Sequence, residues 1–152
     1  RIIAAILAIS LFSMKIILNT DGGARGNPGP AGVGAVIFAD NKKVVATASK
    51  YIGKTTNNEA EYQAVILGLD LIKKNFSAEQ IKSTEIELRV DSELIARQLA
   101  GKYKVKEERL RVYHTKIKEM LKIDFPNFKI TEIRREQNEL ADELANEAMD
   151  EG

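Results

Sequence analysis

KIILNTDGGARGNPGPAGVGAVIFADNKKVVATASKYIG, residues 15 to 53, holds three β-rich runs with no helical period between them. KIILNT (15 to 20), VGAVIFAD (33 to 40) and VVATASKYIG (44 to 53) are dense in apolar and β-branched residues and read as strands. A Gly/Pro/Asn-rich turn over 22 to 32 separates the first two, and an Asp40-Asn41 turn the second two. Parallel neighbours need a crossover, usually a helix, so three sequential strands without one predict an antiparallel meander.

From there the period changes. Tyr62, Val65, Ile66, Leu69 and Ile72 follow helical spacing, which predicts an amphipathic helix over 57 to 76 lying on the sheet. STEIELRVD (83 to 91) alternates like a strand, SELIARQLAG (92 to 101) reads as a short helix ended by Gly101, and RLRVYHTKIKEMLK (109 to 122) as another. Pro126 closes that region, FKITEIRRE (128 to 136) is the last strand, and NELADELANEAM (138 to 149) is a final helix with Leu140, Leu144, Ala145 and Ala148 on one face. The order βββαβααβα describes an α/β fold, a mixed five-stranded sheet with helices on its faces.

The chain has 152 residues, 44% hydrophobic and 30% charged, enough for one domain with a core and too few for two. With no cysteine there is no disulfide, zinc-thiolate site or thiol nucleophile, and a reducing, cytoplasmic compartment is the expectation. A net charge of only +1 argues against a general nucleic-acid coat, so any such binding must be local. Residues 2 to 14 (IIAAILAISLFSM) carry no charge, but they fall short of the ~20 that span a bilayer, so no membrane association is expected. Residues 1 to 13 are read as an N-terminal extension of a domain covering 14 to 152. An upstream extension, an extra packed element and a targeting segment all remain open for them.

Four acids stand in four differently built contexts: Asp21 in LNTDGGARGNPGPAG, Glu61 in TTNNEAEYQAV, Asp91 in LRVDSEL and Asp142 in NELADELANEA. Singly each has an ordinary explanation. Asp21 could start a turn, Glu61 borders the apolar stripe of its helix, Asp91 precedes a helix whose dipole favours it, and Asp142 could be surface charge. Brought together, a pair about 4 Å apart at an effective dielectric of about 20 repels by about 4 kcal/mol, which only divalent cations would make reasonable.

Taken in order, Asp21 to Gly32 (DGGARGNPGPAG), Thr56 to Tyr62 (TNNEAEY), Val90-Asp91-Ser92 and Asn138 to Ala145 closely resemble ribonuclease H type 1. The resemblance runs from Met14 to about Met149. It implies the ribonuclease H fold, a five-stranded sheet with helices on both sides, and hydrolysis of the RNA strand of RNA/DNA hybrids to 5′-phosphate and 3′-hydroxyl ends. By it, Asp21, Glu61, Asp91 and Asp142 align with the family's catalytic metal-binding carboxylates. Two ions per site are implied, Mg²⁺ or alternatively Mn²⁺, with Asp21 bridging, Glu61 and Asp91 outside it and Asp142 held more loosely; the absence of cysteine and of clustered histidine agrees with hard oxygen-bound metals.

The same resemblance assigns substrate contacts. Gly22, Gly23, Arg25, Asn57, Asn58 and Glu61 match positions that read the RNA strand, Asn27 and Thr56 match positions that hold a DNA-strand phosphate, and Ser92 belongs to the Asp91 motif. Structural roles compete with these. Thr56 and Glu59 form a T-x-x-E capping box, and Gly26, Gly29 and Gly32 with Pro28 and Pro30 serve either turn geometry or close backbone approach.

Two departures from the family stand out. The His that some members carry before the last helix is missing from Arg134-Arg135-Glu136-Gln137-Asn138, and His114, the chain's one histidine, reads as a helix-surface residue. The segment Gly101 to Arg109 lacks the basic protrusion of other members and offers only Lys102, Lys104 and Lys106, as phosphate contacts or as a solvated edge. A monomer acting on RNA/DNA hybrid is the leading expectation, and whether double-stranded RNA is also a substrate is left open by the sequence. The alternatives are a non-catalytic hybrid or duplex-RNA binding module and the detached nuclease domain of a reverse-transcriptase-like protein.

Overall fold

The computed structural model describes residues 15–40 and 42–152, so the expectations for residues 1 to 13 lie outside the described residues. Three antiparallel strands open the fold: β1 (Lys15–Ala24), β2 (Gly29–Phe38) and β3 (Val44–Thr55). They are followed by α1 (Asn57–Asn75), α2 (Ala78–Ser83), β4 (Glu85–Val90), α3 (Glu93–Leu99), α4 (Glu108–Asp124), β5 (Phe128–Glu132), a 3₁₀ turn (Arg135–Gln137) and α5 (Glu139–Met149). The sheet runs β3-β2-β1-β4-β5, with β4 and β5 parallel to β1, so the α/β class, the meander and the mixed sheet stand as expected.

Two boundaries and one element differ from the sequence reading. The first turn is only four residues, 25 to 28, because Gly22, Gly23 and Ala24 pair with Val33, Gly32 and Ala31. Pairing partners override the poor strand propensity of DGGA. The last strand stops at Glu132, and residues 135 to 137 wind into 3₁₀ instead. Helix α2 is the missed element. It buries only Ile81, too little for a period, and stands on a local device in which Ser77 accepts from the Gln80 amide while the Gln80 side chain accepts from the Ser77 amide.

The core lies between the sheet and α1, with Leu18, Ile37, Ile86 and Leu88 facing Tyr62, Val65, Leu69 and Ile72. Gly68 lets α1 approach, since a Cβ there would sit 2.8 Å from the methyls of Leu18. Helix α4 lies outside α1 and is tied to it by Glu59 to Arg109 (2.7 Å) and Lys73 to Asp124 (3.1 Å). On the opposite face α5 rests on β2, where a Cβ on Gly32 or Gly34 would come within 2.5 Å of the Ala145 or Ala141 carbonyl. Its buried face is therefore Ala141, Ala145, Ala148 and Met149; the expected Leu140 and Leu144 are only half-buried. Gly32 thus serves close approach, whereas Gly26, at φ 89°, serves the turn.

Strand β4 also carries a buried charge. Glu87 is 4% exposed, with Lys15 Nζ at 2.8 Å and Arg89 Nε at 3.0 Å. Burial pushes its carboxyl up, but hydrogen bonds from Arg89, Lys15 and Thr131 outweigh that and hold it down at about 2. A depressed carboxyl contributes stability above its unfolded value, and that contribution disappears as pH falls through the folded one. Glu87→Gln is therefore expected to be less stable than the parent at pH 7, with the gap closing between about pH 4.5 and 2 in urea melts. A gap unchanged by acid would refute the assignment.

Candidate active site

Strands β1 and β4 are adjacent and parallel, with Asn19 beside Arg89, so Asp21 and Asp91, each two residues further on, emerge at the same end of the sheet. Glu61 stands in the second turn of α1 and Asp142 in the first turn of α5, near helix N-termini whose partial positive charge suits a carboxylate. Asp21, Glu61 and Asp91 each offer an oxygen within 4.8 Å of the others, and all three are half-buried. Asp142 is more exposed and lies outside this close cluster, although it lines the same cavity and its charge bears on Asp21.

That cavity, about 490 Å³, collects the four acids and all the substrate-contact residues assigned by the resemblance except Asn27 and Thr56; Lys102, Lys104 and Lys106 lie elsewhere. Gly22, Gly23, Arg25, Asn57, Asn58 and Ser92 line it together with the four acids. Asn27 and Thr56 do not line it but hold the start of α1, whose residues do. Asn27 Oδ1 accepts the Asn57 backbone amide at 3.0 Å, and Thr56 Oγ1 accepts the Glu59 backbone amide at 3.2 Å as the cap of α1. The expected capping box is only half formed, because the Glu59 carboxylate turns away to Arg109. Asn57 Oδ1 accepts the Ala24 amide at 2.8 Å, fixing the end of β1 to the start of α1. Arg25 is ion-paired with Asp150.

The electrostatics show a site short of positive charge. Burial raises the Asp21 carboxyl, and the charges of Asp91, Asp142 and Glu61 add to it, up to about 8. Burial likewise lifts Glu61, opposed by a hydrogen bond from Ser92, reinforced by Asp91 and opposed by Arg135, to about 7. Oxygen-only donors, half-buried and mutually repelling, fit a hard divalent cation and would lose their protons to it.

Two residues of the site were missed in the sequence. Asn138, 1% exposed, donates from Nδ2 both to Asp91 Oδ2 at 2.8 Å and to the Thr20 carbonyl at 3.0 Å. Its position before a helix reads as a cap, yet it makes no cap bond; it holds Asp91 instead. Arg135 reaches the cavity from the segment where the histidine is lacking. His114 is half-buried and makes contacts that a residue on a free helix surface would not. Its Nε2 lies 3.0 Å from the Gln98 carbonyl and its ring meets Tyr62 edge-on, so it braces α4 against α3 and α1. Between α3 and α4 no helix intervenes, and Lys102, Lys104 and Lys106 are exposed.

The family model described as "Reverse transcriptase-like" matches residues 19–148. The structure of LC11-RNase H1, a protein isolated from compost and solved with an RNA/DNA hybrid, superposes with a TM-score of 0.86 at 48% identity, covering 90% of this chain and 98% of that one. The chain belongs to the ribonuclease H1 family. The ribonuclease H1 of Halobacterium salinarum superposes at a TM-score of 0.82 with 39% identity, covering 91% of this chain and 99% of that structure. The curated ribonuclease HI of that organism is 42% identical over 130 residues, 86% of this chain and 62% of its own length. A bifunctional protein of Mycobacterium tuberculosis is 41% identical over 138 residues, 90% of this chain but 36% of its own. The chain thus spans roughly a third to two thirds of the length of these curated relatives.

Proposed function

We propose that the protein is a metal-dependent endoribonuclease that hydrolyses the RNA strand of RNA/DNA hybrids and leaves 5′-phosphate and 3′-hydroxyl ends. The observation that carries this reading is the convergence of Asp21, Glu61 and Asp91 in one cavity of a ribonuclease H1-family chain. Two divalent cations of the Mg²⁺ or Mn²⁺ class, bound with substrate, would neutralise these carboxylates, activate the attacking water and stabilise the departing 3′ oxygen. Asp21, Glu61 and Asp91 would hold these ions through their converging carboxylates, and Asp142, outside the close cluster, would contribute a looser contact.

The remaining residues position and select. Asn138 and Ser92 fix Asp91 and Glu61 through hydrogen bonds. Arg135 supplies a fixed positive charge for phosphate oxygens; it cannot give up its proton, so it takes over only the electrostatic part of the missing histidine's work. The amides of Asn57 and Asn27 are occupied through their carbonyl oxygens, which leaves their NH₂ groups as donors, to the RNA 2′-hydroxyl and to a DNA phosphate respectively. On this reading the protein works on the hybrid as a monomer in a cytoplasmic compartment.

The test is a labelled RNA/DNA hybrid beside double-stranded RNA, single-stranded RNA and double-stranded DNA, with MgCl₂, MnCl₂ or EDTA. Nicking of the RNA strand of the hybrid is expected with either metal and none in EDTA. Equal cleavage in EDTA would overturn the mechanism, and hybrid binding without cleavage in either metal would favour the non-catalytic module.

A further inference from the structure

Behind the carboxylates is a second, much smaller cavity of about 10 Å³, lined by Thr20, Asp21, Glu61, Asp91 and Ser92 on its polar side and by Val90 and Ile95 on the other. That is close to the ~10–15 Å³ one water molecule needs. Thr20 is 2% exposed, and its hydroxyl oxygen has no protein partner. A buried hydroxyl left unpaired costs about 1–3 kcal/mol, so a native fold seldom retains one without a partner.

From this juxtaposition we infer that a single ordered water is bound in this cavity, and that Thr20 is a positioning residue for the acids beside it. The Thr20 hydroxyl donates to the water, and the water in turn donates to the carboxylates of Glu61 and Asp91. Ser92 cannot take this part, since its oxygen accepts the Ile95 amide at 3.2 Å and its proton serves Glu61. Asn138 cannot either, because its NH₂ group is occupied by Asp91 and the Thr20 carbonyl. The water therefore adds the donors that keep two like-charged side chains aimed into the larger cavity. Partners that orient metal-binding groups from behind are worth about 10–100-fold in metal affinity. The inference rests on the metal-site reading above.

Thr20→Val keeps the side-chain shape and removes the hydroxyl; Thr20→Ser keeps the hydroxyl. Calorimetric titration with MnCl₂ in the absence of nucleic acid is expected to give at least about tenfold weaker binding for Thr20→Val and near-parental binding for Thr20→Ser, with melting temperatures in EDTA not lowered by Thr20→Val. A crystal structure of the parent protein at high resolution should place one water within hydrogen-bond distance of Thr20 Oγ1. Parental Mn²⁺ affinity in Thr20→Val, or a cavity without that water in the parent crystal, overturns the inference while leaving the metal site intact. A parent protein that takes up no Mn²⁺ would overturn the metal-site reading itself, and the crystal alone would then decide whether the water is there.

Discussion

Asp91→Asn is expected to abolish hybrid cleavage, by more than about a hundredfold, while making the metal-free protein no less stable. The loss should exceed the 10–100-fold typical of groups that merely orient a ligand, because Asp91 is one of the three acids whose oxygens converge. Stability goes the other way. The charge of Asp91 raises both Asp21 and Glu61, so the native state at pH 8 holds repelling carboxylates that the unfolded chain does not. A carboxyl raised in the folded state destabilises progressively as pH climbs from its unfolded value, near 4, towards the folded one of about 8. Removing one charge relieves this, and the Asn oxygen can still accept from Asn138, so the local geometry is kept. In EDTA at pH 8 the variant should therefore melt at or above the parental temperature, with each kcal/mol of relieved repulsion worth about 2–4 °C. Activity lost together with a lower melting temperature would mean that Asp91 serves the fold, not the chemistry.

The strands, the long helix and the three-acid cluster were legible because each had a local signature: runs of β-branched residues bounded by turn residues, Tyr62 to Ile72 at helical spacing, and acids embedded in extended motifs. What escaped depends on partners distant in sequence. Nothing in DGGA announces a strand, and Gly22 to Ala24 become one only because Val33, Gly32 and Ala31 lie opposite. The leucines of the last helix outrank its alanines in hydrophobicity, yet two glycines on β2 create a trough that admits only the alanine face. The looser place of Asp142 was an implication of the resemblance; its exposure outside the three-acid cluster follows from where α5 packs, which no local signature encodes. Asn138 was hidden by a competing local role, since an Asn before a helix is ordinarily a cap.

Gly22→Ala should lower stability and activity together. A Cβ at Gly22 would collide with the Ala60 carbonyl and come within 2.8 Å of the Glu61 amide nitrogen, both backbone groups in α1 that cannot rotate away. Ordinary contact needs at least about 3.4 Å, so the start of α1 must retreat from β1 by something approaching 1 Å. Overpacking of this kind costs about 1–3 kcal/mol, or roughly 2–12 °C in melting temperature. The displaced helix carries Glu61 away from Asp21 and Asp91, and a misplacement of about 1 Å can cost about a hundredfold in rate. The neighbouring glycine is the control. A Cβ at Gly23 would meet Met149 Cε at 3.5 Å and Asn57 Oδ1 at 3.7 Å, both ordinary contacts, so Gly23→Ala should melt near the parental temperature. If Gly22→Ala cleaves hybrid at the parental rate, the distance between β1 and α1 does not set the carboxylate geometry. If both alanine variants lose activity but neither loses stability, the two glycines act by admitting substrate to the cavity and not by bringing helix and strand together.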